Sequence, residues 1–157
     1  METITIQIIQ EDVYDEVAKA TDYTGSKLID GDENARDRIL AADDDLAELG
    51  RFWEESALAT NENLKEMLVS GKTRIVGAAD GKTGYEAVIE VSKSFDKELT
   101  ASVESTLRSF FIASIIGQWF KFANKGEAKD YFVQAADMME TAERLLYSRR
   151  KPTRPTD

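Results

Sequence analysis

The chain contains neither cysteine nor histidine. Without cysteine there are no disulfides, no thiolate nucleophiles and no cysteine-ligated zinc. Without histidine the commonest general base near neutral pH and the commonest metal ligand are both missing. These absences remove much enzyme chemistry, and the expectation is a protein with no catalytic residues, no metal and no cofactor. Proline is nearly absent: both copies, Pro152 and Pro155, fall at the carboxy terminus, so no proline breaks a helix before residue 152. A membrane-spanning run is lacking too. The longest apolar run, around Phe110–Ala123, is about 14 residues, against the ~20 a helix needs to cross a bilayer. The first residues, METITIQIIQED, carry acids where an export signal needs a positive region, so no signal peptide is expected and the default compartment is cytoplasmic.

What is present suits one ordinary domain. A chain of 157 residues with 42% hydrophobic content can bury most of its unfolded surface without staples. Val103–Ala123 is apolar on most of its circumference. Its first half carries a stripe of Val103, Leu107, Phe110 and Phe111. In its second half the apolar arc reaches roughly 200°, twice the ~100° of a surface helix. Such a helix is either sandwiched inside its own subunit or shared with a neighbour. Phe110, Phe111, Ile115, Trp119 and Phe120 are its core or interface residues.

Around it, Thr3–Ile8 alternates Ile4, Ile6 and Ile8 with polar neighbours, the period of a strand. Asp12 can cap a helix through about Thr21 whose face holds Val13, Val17 and Ala20. Asp22–Asp32, with Gly25 and Gly31, reads as a loop. From about Glu33 to Val69, Ile39, Ala42, Leu46, Leu49, Trp53, Ala57, Thr60, Leu64 and Leu68 recur at spacings of three and four. This predicts one long helix, or two divided at Ala41–Asp45 or Gly50, closed by Ser70-Gly71; Phe52 and Leu58 fall off its stripe. Thr73–Val76 and Tyr85–Val91 predict a hairpin with a long turn. The central helix starts near Thr100 and ends near Asn124-Lys125-Gly126. A last helix over about Glu127–Ser148 carries Tyr131, Phe132, Ala135, Met138, Met139, Ala142, Leu145 and Leu146 on one stripe. The short connection predicts an antiparallel helical pair. The fold class is therefore mainly α with some β (α+β): an antiparallel helical bundle with one long helix, a β-hairpin at about 72–92 between helices, and an extended tail. A single domain spans 1–148 and a basic tail 149–157.

Several stretches invite functional readings that their spacing refuses. Gly-Lys-Thr occurs at 71–73 and 81–83, but the earlier glycine of a phosphate loop is Glu66 or Val76 here, and strands follow rather than a helix. Asp30-Gly31-Asp32-Glu33-Asn34 opens like a calcium loop, yet Ala35 and Ala41 stand where glycine and a bidentate glutamate are needed. Asp43, Asp44 and Asp45 form an acidic surface whose carboxylates diverge on a helix and cannot converge on one ion alone. Gly117, four residues after Ala113, costs ~1 kcal/mol in a helix, which the close approach of another backbone would justify and plain tolerance in a large core would also explain.

Charge is unevenly placed. The net charge is −10; residues 1–70 hold 18 acids and 6 bases, and residues 71–157 hold 12 acids and 14 bases. Arg149, Arg150, Lys151 and Arg154 sit in the tail and are candidate partner-binding residues, able to meet an acidic partner or a phosphate. An acidic body disfavours nonspecific DNA binding.

The layout and the stretches FWEESALATNENL (52–64), FFIASIIGQWFKFANKGEAKDYFVQAADMM (110–139) and YSRRKPTRP (147–155) resemble the small head–tail connector, or adaptor, proteins of tailed bacteriophages and prophages. The resemblance implies a non-enzymatic ring subunit between portal and tail, a homo-oligomer contacting other neck or portal proteins. DNA would pass through its channel without specific binding, and the protein would reside in the virion or in host cytoplasm during assembly. No short family motif is present to transfer residue by residue. The alternative reading is an acidic protein-binding module, such as a DNA-mimic inhibitor; a second rival is a carboxylate- and metal-dependent enzyme, which a buried acid cluster in a cleft would favour.

Overall fold

The computed structural model describes residues 2–27, 46–76 and 82–149. The order is β1 (Glu2–Ile9), α1 (Gln10–Lys27), α2 (Leu46–Asn63), β2 (Leu68–Ile75), β3 (Gly84–Val91), a 3-10 turn (Lys97–Leu99), α3 (Thr100–Ala123) and α4 (Lys125–Leu146). The class is α+β. The three strands form one antiparallel sheet in the order β1-β3-β2.

Strand β1 forms where the isoleucines alternate. Ile4, Ile6 and Ile8 turn inward, opposite Ile89, Ala87 and Tyr85 of β3 in register, and all six are buried. The expected two-stranded hairpin is thus three-stranded, with the amino-terminal strand completing it; two strands alone bury too little to be stable. Helix α1 continues beyond the expected Thr21 to Lys27. The Thr21 hydroxyl donates to the Val17 and Ala18 carbonyls inside the helix rather than ending it, and Gly25 costs only ~1 kcal/mol there.

The long helix expected over 33–69 ends at Asn63, and its part before Leu46 lies outside the described residues. The Leu64 N–H still reaches the Thr60 carbonyl, but the Met67 N–H then turns back to Leu64, and Leu68 is already strand. Ser70-Gly71 therefore lies within β2 and closes no helix. Leu64 and Leu68 both face the core, one from a turn and one from a strand, so apolar spacing alone could not separate the cases. Phe52, expected to be exposed, is buried: the inward stripe of α2 is Leu49, Phe52, Trp53, Ser56, Ala57 and Thr60. Leu58 is exposed as expected.

Helix α3 touches α1, α2, α4 and β1. It is sandwiched within its own chain, where Val103, Leu107, Phe111, Ile115, Ile116 and Phe120 are all buried and Ile112 and Trp119 partly so. By length and composition Lys97–Lys121 could cross a membrane; in this fold its apolar side lies against its own neighbours. Asn124 alone joins α3 to α4. Its N–H donates to the Phe120 carbonyl, closing α3, and its Oδ1 accepts from the Glu127 N–H at 3.3 Å, opening α4. The helices return antiparallel, with the Phe120 and Tyr131 rings 5.7 Å apart. Gly117 makes room not for a backbone but for the Phe132 ring, whose edge would lie 2.8 Å from a Cβ at that position.

Candidate functional site

Of the residues singled out in the central helix, Phe110, Phe111, Ile115 and Phe120 are core. Phe111 is wedged between Trp53 (centroids 4.8 Å apart) and Tyr85 (5.3 Å). Trp119 is only half-buried, packed at the rim of that core. Asp43, Asp44 and Asp45, the calcium-like stretch at 30–34, and Arg150, Lys151 and Arg154 lie outside the described residues. Arg149 pairs its backbone with Phe95, in the connection after β3, as an isolated antiparallel bridge.

Buried polar groups are used for fastening. The Tyr85 hydroxyl donates to Asn61 Oδ1 at 2.6 Å, and Asn61 Nδ2 donates to the Gly71 carbonyl at 3.2 Å. Burial pushes the Tyr85 phenol well above its ordinary range. The Trp53 indole N–H donates to the Thr73 carbonyl at 3.0 Å. Two side chains of α2 thus occupy carbonyls of β2, and Glu104 of α3 accepts the Gln7 N–H of β1. Ser56 and Ser114 meet at 3.0 Å between α2 and α3. Gln118 is their side-chain neighbour, and among the described residues no carboxylate is bonded to either hydroxyl, so this pair reads as a joint rather than an activated nucleophile. The first Gly-Lys-Thr is strand β2, where Gly71 leaves the space that Asn61 fills. Among the described residues no group of three or more acids could hold a metal ion.

The surface most suited to a partner is the outer face of α4. Among the described residues this helix packs extensively on α3 alone. Its outer side exposes Phe132 at 39% and Val133 at 54%. Phe132 and Ala136 form a ridge between two open grooves. One, of about 520 Å³, is edged by Lys121, Lys125 and Lys129. The other, of about 420 Å³, runs toward α2 and is edged by Glu140 and Glu143. The face is therefore basic at one end, apolar in the middle and acidic at the other. Sequence spacing had assigned Phe132 to the core stripe. The overlooked signal was Lys125, Lys129 and Val133 at i,i+4 spacing, with Glu140 and Glu143 continuing the same side. No family model, curated protein or solved structure matches this chain.

Proposed function

We propose that this chain is a non-enzymatic assembly subunit that associates with copies of itself, in the manner of the head–tail connector rings of tailed phages that it resembles. The observation that carries self-association is the outer face of α4, where exposed Phe132 and Val133 lie between segregated basic and acidic rims, and the ring form itself rests on the resemblance. Apolar centres with charged borders suit protein contacts. The fastened sheet edges support it too, because they direct association away from uncontrolled strand pairing. In this reading the helices form the bundle that makes the ring wall. The basic segment from Arg149 onward is an arm that docks on an acidic surface of a neighbouring subunit, with portal and neck proteins above and below. Negative-stain imaging of the purified chain tests the ring: closed annular particles are expected. Uniform small particles matching one or two chains would overturn the ring in favour of an acidic binding module.

A further inference from the structure

We infer that the outer face of α4 is a two-fold contact with a second copy of the same helix, laid antiparallel. Two features of the face support this. Among the described residues it is the uncovered side of a helix held extensively by α3 alone, and it carries Phe132 and Val133 outward. Its charges are also ordered in a way that complements itself only when reversed. About a point beside residue 134, Phe132 and Ala136 lie two residues to either side, Lys129 and Glu140 five and six, and Lys125 and Glu143 nine. A two-fold axis there sets each Lys129 against the partner's Glu140 and each Lys125 against the partner's Glu143. It also sets the bulky Phe132 against the partner's small Ala136, so the helices can approach closely. A parallel pairing would place lysine on lysine and glutamate on glutamate. None of these four charged residues is in an ion pair among the described residues. The symmetry makes every pairing occur twice, as an isologous interface requires. The inference goes beyond the ring reading, because a two-fold contact closes on itself after two copies and within a ring would join two rings face to face.

Complementary charge variants of the full chain test it. Lys125→Glu with Lys129→Glu makes all four positions acidic; Glu140→Lys with Glu143→Lys makes all four basic. Both changes place acids near the start of α4 or bases near its end, where the helix dipole favours them, so folding is retained and circular dichroism checks it. Sedimentation equilibrium should show each variant alone associating on the order of 100-fold more weakly than the unaltered chain. An equimolar mixture should recover the association. Retention of the original mass by both variants, or failure of the mixture to recover it, overturns the inference. A single-copy mass for the unaltered chain overturns it as well. A large ring indifferent to both variants refutes the two-fold contact and leaves the ring reading standing. A dimer lost in each variant and regained on mixing supports the contact and refutes the ring.

Discussion

Truncating Trp53 should remove much of the stability of the domain. The residue is 2% exposed where α1, α2, β2 and α3 converge. Its ring lies 4.8 Å from Phe111 and meets Tyr14 edge-on at 6.2 Å, and its N–H fastens the Thr73 carbonyl. Replacing a buried tryptophan by alanine costs ~3–5 kcal/mol from lost burial and the cavity left behind. The stranded carbonyl adds about 1 kcal/mol, at the low end because β2 lies at the sheet edge where water can reach it. The total is a large part of the ~5–15 kcal/mol available to a domain. Trp53→Phe separates the contributions: it keeps an aromatic contact with Phe111 and loses the hydrogen bond and some volume, for about 1–2 kcal/mol. Urea unfolding followed by far-UV circular dichroism reads both. The reasoning is wrong if Trp53→Ala loses less than about 1.5 kcal/mol, or if the two variants are equally destabilised. Trp119→Ala, at the rim, should cost clearly less than Trp53→Ala.

Three further outcomes are expected. Because burial raises the Tyr85 phenol, the folded protein holds that proton more tightly than the unfolded chain. Its contribution is therefore whole below about pH 10 and declines as pH rises beyond that. Tyr85→Phe should flatten the alkaline loss in urea midpoints without abolishing it, since burial also raises Tyr14; an unchanged pH profile would contradict this. Gly71→Ala drives a Cβ into the Asn61 carboxamide, which bonds both the Tyr85 hydroxyl and the Gly71 carbonyl. The loss should be about 1–3 kcal/mol by thermal melting, and an unaltered melting temperature would show that Asn61 has another place to go. Deleting residues 150–157 should leave melting unchanged and weaken assembly in a salt-dependent way, since exposed ion pairs contribute only ~0–1 kcal/mol each and are screened; assembly that persists undiminished would remove the tail from the account.

Elements with one dominant period were legible in the sequence. Ile4, Ile6 and Ile8 marked β1, and the apolar girth of Val103–Ala123 marked a helix packed on several sides. The short connection before the last helix marked its pairing with α3. Misreadings arose where one pattern served two structures. Leu64 and Leu68 are spaced as on a helix, yet a turn and a strand bring both to the core. The face of α2 is rotated from the expected stripe because Ser56, though polar, is buried and bonded to Ser114, while Thr60, already on that stripe, bonds the Ser56 carbonyl. That rotation brings Phe52 inward. Pairing of β1 with β3 joins residues 75 to 89 positions apart, and nothing local encodes such a contact. The candidate face of α4 was hidden because Phe132 both packs against Gly117 and stays 39% exposed, so hydrophobicity alone placed it wholly inside.

The mass of the unaltered full-length chain in solution, followed by sedimentation across concentration and salt, tests most directly whether this protein exists to assemble. The account predicts a species of two or more copies at micromolar concentration that loosens as salt rises. A single-copy mass that stays constant over the whole range would contradict it.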